Sequence, residues 1–220
     1  MKNTNPNPVT RFALIAIGAM LTVPLPAVAE EIHGDEIKDS VSLGTNTLTN
    51  LTTGDTNTAS GSYALNKNTT GSANTASGSD ALRNNITGDN NTAIGSRALY
   101  SNTEGIDNTA SGARTLFSNI TGDNNTAIGY RAGGFNESGS KNVFIGYQAG
   151  DNVGYTNKSN QLVIANGPLP ANQLLVGDFS KRTLLINGRT SINGDAIVRG
   201  DLKVQGKAFA ASFEKSDGRL

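Results

Sequence analysis

Few residues in this 220-residue chain carry side chains suited to covalent or metal chemistry. His33 is its one histidine, set in EEIHGDEIKD over residues 30–39, and cysteine is absent. A site built on imidazole and thiolate donors is therefore not expected, and His33 reads as part of a solvated lead-in. Asp89 and Asp123 lie in two copies of GDNN, where carboxylate and turn carbonyl oxygens would suit calcium. The nine-residue calcium-roll phrase is missing, so the favoured reading is that each carboxylate closes its own turn. Arg199, Gly200 and Asp201 spell RGD, the phrase that integrins recognise, and form a candidate adhesion motif. Gly200 also belongs to a regular glycine series, so the repeat alone accounts for one letter in three. No Walker or dinucleotide phrase occurs. An enzyme is not expected, and no cofactor or metal is assigned.

The glycines are better explained by architecture. Asn57, Asn74, Asn91, Asn108, Asn125 and Asn142 are each 17 residues apart. Four positions after each comes Gly61, Gly78, Gly95, Gly112, Gly129 or Gly146, and a second series runs Gly71, Gly88, Gly105, Gly122, Gly139 at the same step. Extending back one period, residues 40–160 hold about seven copies of one unit. Seventeen residues are too few for helical-pair repeats, and the Asn, Thr and Gly content disfavours helix.

In an extended strand side chains alternate, so Thr92 and Ile94 share one side and Ala93 takes the other. The bulkier set, with Ile128 and Ile145 its equivalents in later coils, is expected to line the interior. The row Ala59, Ala76, Ala93, Ala110 and Ala127 is then left to face another chain. A second short strand is expected over Arg97 to Leu99, and the asparagines are expected to stack as a ladder at the turn. The fold class is all-β: a parallel β-roll or β-solenoid of 17-residue coils. Stacking at about 4.8 Å per coil makes it a rod on the order of 35 Å long. Ser60, Ser77 and Ser111 interrupt the presumed interior row, and so thin a core predicts a homotrimer.

The composition favours many tight turns over one large aromatic core. Of 220 residues 26 are glycine, 36% are hydrophobic and 5% aromatic, and the formal net charge is zero. Such a balance offers no basic surface for nucleic acid. Residues 1–29 read as a signal peptide: Lys2 and Arg11, then FALIAIGAMLTV, then an A-x-A site at Ala27 to Ala29. The apolar run is too short to span a membrane, so export is expected, with no span in the mature chain.

The units NTASGSYAL, NTAIGSRAL and NVFIGYQAG resemble the head repeats of trimeric autotransporter adhesins of the YadA-like type, over residues 40 to about 160. That resemblance implies a left-handed parallel β-roll, assembled as a trimer at a bacterial surface and contributing to attachment. The shorter unit of the best-known heads implies longer loops here.

Past residue 160 the pattern changes. QLVIAN (161–166), QLLVGDF (173–179) and TLLING (183–188) read as short strands in a connector over 161–185, with Pro168 and Pro170 capping the roll or marking a linker. Ile186, Ile192, Val198 and Val204 then fall six apart, followed in step by Gly188, Gly194, Gly200 and Gly206, a neck over 186–210. FEKSDGRL (213–220) resembles the opening of the intramolecular chaperone domain of phage tail spikes, so 211–220 is expected to be its truncated start, with Ser216 near a self-cleavage junction. The expected function is multivalent adhesion to a surface, cell or matrix of unknown identity. The alternative is a structural segment of a phage-like tail fibre or surface filament.

Overall fold

The computed structural model describes residues 40–188. The signal segment, the lead-in with His33, the RGD motif, all but the first residues of the neck and the chaperone-like end lie outside the described residues.

Seven three-residue strands follow one another at the 17-residue step: β1 (Val41–Leu43), β2 (Thr58–Ser60), β3 (Thr75–Ser77), β4 (Thr92–Ile94), β5 (Thr109–Ser111), β6 (Thr126–Ile128) and β7 (Val143–Ile145). Each pairs in parallel with the next and in register, Thr with Thr and Ala with Ala. The chain is thus a β-solenoid of about seven coils. The next coil is two residues longer, carries a 3-10 turn at Val153–Tyr155, and delivers β8 (Gln161–Ala165) parallel to β7. There the winding stops. β9 (Gln173–Asp178) and β10 (Thr183–Ile186) return antiparallel, completing one ten-stranded sheet. Pro168 and Pro170 sit in the β8–β9 connection, where no ladder amide is needed, and the Pro168 carbonyl accepts from Asn152 Nδ2 at 3.0 Å.

Two expectations about the coil are corrected. The alternation is as expected but its phase is reversed: Ala59, Ala76, Ala93, Ala110 and Ala127 are fully buried, while Ile94 and Ile128 are 48% and 47% exposed. The interior is narrow because each coil already contributes a second small row (Ala64, Ala81, Ala98, Thr115, Ala132) and a leucine row (Leu65, Leu82, Leu99, Leu116) to it. Only a methyl group fits opposite them. Ser60, Ser77 and Ser111 therefore do not interrupt a core at all. The second correction is that no strand forms at Arg97 to Leu99. Arg97 and Leu99 adopt φ of 59° and 50°, and Ala98 N–H bonds back to Gly95 O at 3.2 Å. This left-handed bend, about 1–2 kcal/mol of strain per residue, aims the leucine inward, where burial returns about as much.

The asparagine ladder is present. Asn91 N–H donates to Asn74 Oδ1 at 2.9 Å and Asn91 Nδ2 to Gly105 O at 2.8 Å, and the same set repeats at Asn74, Asn108 and Asn125, while at the ends Asn57 N–H donates to Ser40 Oγ and Asn142 Nδ2 to Lys158 O. A second ladder, which the sequence reading passed over, runs through Asn68, Asn85, Asn102, Asn119 and Asn136. From Asn85 onward each Nδ2 donates to the Oδ1 one coil below at 2.7–2.9 Å. Both ladders converge on the carbonyls of Gly71, Gly88, Gly105, Gly122 and, for Asn125 and Asn136, Gly139. Among the described residues no buried side-chain polar atom lacks a partner. An interior lined by amides is stable only on that condition.

Candidate functional site

Two outward surfaces are uncommitted to the interior. One is the outer face of the sheet, where successive coils bring like positions into register. Ile128, Ile145, Ile164, Leu175 and Ile186 pair one after another across β6 to β10, and Val143, Leu162 and Leu184 lie alongside them on the same face. From β5 down to β2 this face is mainly polar, with Thr58, Thr75, Thr92, Thr109 and Thr126 in one row and Ser60, Ser77, Ile94 and Ser111 in the other, before β1 ends it with exposed Val41 and Leu43.

The other surface is formed by the turns that follow each strand. One row of the repeat reads Asp80, Arg97, Arg114, Arg131 at the 17-residue step, so three arginines occupy the same position on adjacent coils. Asp80 at the lower end pairs with Arg97, Nε to Oδ2 3.6 Å, as well as with Arg83 at 2.9 Å. Asp151 at the upper end holds Arg131, Nε to Oδ2 2.8 Å. Burial raises the Asp151 pKa above the ordinary 3.8, and the Arg131 charge and hydrogen bond pull against that rise. Arg114, in the middle, is exposed and has no carboxylate partner among the described residues.

Three positions further along, the same turns carry Tyr100, Phe117 and Gly134. The Tyr100 and Phe117 rings stack with centroids 5.1 Å apart and planes 6° from parallel, close to the spacing of the coils themselves. The next rung of that stack is glycine. A Cβ there would lie 2.4 Å from Asp151 Oδ1, so the buried carboxylate excludes any larger residue. The result is a cleft of about 160 Å³ lined by Arg114, Phe117, Ser118, Arg131, Gly134 and Phe135.

The sequence-derived candidates fall into three groups. The repeat asparagines and glycines are structural. A Cβ on Gly95, whose φ is 125°, would lie 2.6 Å from the Gly112 carbonyl carbon, so this row is glycine for close approach as well as for dihedral. Asp89 and Asp123 do not close their own turns: their Oδ1 atoms accept from Ser72 N and Ile106 N of the coil below at 2.7 and 2.8 Å, which corrects the local reading. Arg199, Gly200 and Asp201 lie outside the described residues. The cleft was missed, although the 17-residue steps linking its arginines and its aromatic row were countable. Among the described residues no group of three or more His, Cys, Asp or Glu could hold a metal, and no helix is long and apolar enough to cross a membrane. No protein family, curated protein or solved structure gives a significant match to the chain.

Proposed function

We propose that the chain is an exported homotrimeric adhesin head, a binding protein rather than an enzyme, which presents repeated turn surfaces for multivalent attachment. The observation that carries this is the apolar row Ile128, Ile145, Ile164, Leu175 and Ile186, continuous over five strands on the outer sheet face. The row is exposed at its two ends, Ile128 and Ile186, and half-buried between them, and apolar surface of this continuity marks an interface. A second and third copy of the same face are its occupants, because a regular, in-register row is complementary to itself about a common axis. The reversed phase of the strands supports this reading: the side chains that would meet a partner are isoleucine and threonine, not alanine. Three copies then present each turn surface three times, and a weak contact gains on the order of 10²–10⁴ in avidity.

Sedimentation of the exported chain tests the assembly. A trimer is expected, and the double substitution Ile128→Glu/Ile145→Glu should yield folded monomers with unchanged circular dichroism. Beads coated with the wild-type chain should adhere to a responsive cell or matrix surface, and beads coated with the monomeric variant should lose at least tenfold in retention. A stable wild-type monomer would overturn the trimer. Equal retention of both coatings on every surface tried would leave a purely structural filament segment.

A further inference from the structure

We propose that the cleft over Phe117 binds one carboxylated pyranose ring of an acidic polysaccharide, with the sugar's C–H face on Phe117 and its carboxylate on Arg114. Two independent observations meet there. The first is an incomplete stack: Tyr100 and Phe117 are parallel at 5.1 Å, and Gly134 leaves the position above Phe117 without a ring. A flat ring with an apolar face completes it, as sugar and aromatic faces do in concave sites. The second is an incomplete charge row. Asp80 and Asp151 pair with the outer arginines, Arg97 and Arg131, and leave the central guanidinium of Arg114 without a carboxylate among the described residues. One planar carboxylate satisfies that fork in bidentate fashion and relieves the repulsion between like charges on adjacent coils.

Size and lining narrow the class. At about 160 Å³ the cleft is smaller than the ~300 Å³ at which drug-sized sites begin, so it takes one ring rather than a nucleotide. Ser118 and Phe135 complete the lining, and a polar residue beside the aromatic ones suits a polyhydroxylated ring better than an all-carbon one. No strand residue lines the cleft, so a partner on the outer sheet face does not compete for it.

As an attachment site the cleft rests on the reading of the roll as an adhesin head; as a binding site for free sugar it does not. The test is calorimetric titration of the exported chain with a glucuronate-containing oligosaccharide, with neutral glucose oligomers and benzoate as controls. Substitutions are chosen from residues that other coils carry at the same row, so that the fold tolerates them: Arg114→Gln, as Gln148, Phe117→Asn, as Asn66, and Phe117→Tyr, as Tyr100. Saturable uronate binding is expected, lost at least tenfold in Arg114→Gln and Phe117→Asn and kept within threefold in Phe117→Tyr, with the neutral oligomer inert. Binding of the neutral oligomer as tightly as the uronate, binding of benzoate in preference to it, wild-type affinity in both disruptive variants, or no heat at millimolar sugar would each overturn the proposal. If uronate binding fails while coated beads still adhere, only the ligand assignment falls. If uronate binds and beads adhere to nothing, only the adhesin reading falls.

Discussion

A buried asparagine in this roll acts as two donors and an acceptor at once. Asn102 Nδ2 donates to Asn85 Oδ1 and Gly105 O, while its Oδ1 accepts from Asn119. Asn102→Asp keeps the shape and removes both donors, turning two hydrogen bonds into contacts between oxygens. The expected cost is about 3 kcal/mol or more at neutral pH, partly regained in acid as the carboxyl protonates, which a series of urea unfolding curves against pH would read. Asp151, a buried carboxyl already in the chain, should titrate in the same sense. Its folded pKa lies above 3.8, so the proton is held more tightly in the folded state. Its contribution to stability is fully present below 3.8 and is lost as pH rises through the folded value. Asp151→Asn should remove that slope, and the stability of the variant relative to wild type should rise as pH increases from below 3.8. Thermal melts across that range check it, and parallel curves would show that burial is not raising the group.

At the level of the coil, the period was legible and the phase was not. Asparagine and glycine recur every 17 residues because the ladders and the close coil contacts admit nothing else, so simple counting finds them. Which side of a three-residue strand faces inward is a choice between two alternations, and hydrophobicity selected the wrong one. The better signal was constancy: five coils keep alanine at the middle position, while the flanking position varies between serine and isoleucine. Variation between polar and apolar types belongs outside, and a fixed small residue belongs in a tight interior. The cleft was illegible for another reason, since its rungs come from separate coils and only the stacking brings them together.

The seventh coil supports the same volume argument. There Phe144 replaces alanine, and the leucine row becomes Gly133 and Gly150, whose Cβ atoms would lie 2.6 and 2.4 Å from the ring of Phe144. Phe144→Ala should destabilise by about 3–5 kcal/mol. Adding Gly133→Leu should restore at least ~1 kcal/mol by refilling the cavity, because the leucine row holds a similar left-handed dihedral in five other coils. Chemical unfolding of the single and double variants decides this, and no recovery would mean that the exchange is not compensatory.

Over the whole molecule each coil touches little beyond its two neighbours, so stability is close to a sum of like terms. Removing residues 75–91, one full period from the start of β3 to the residue before β4, should leave a folded roll shortened by about 4.8 Å. Removing half as many should unfold it, because both ladders lose register. Small-angle scattering and circular dichroism of the two deletions separate these outcomes.

The same nearest-neighbour bonding governs how the roll responds to tension. Its coils are wound in chain order from β1 to β8, so a pull on the two ends meets them one at a time, not the whole sheet together. Each 17-residue coil that peels away releases roughly 55–60 Å of chain at full extension. A roll held by one end and loaded at the other would yield in equal steps, spending work at each, and a force-extension trace of the single chain would show a regular staircase.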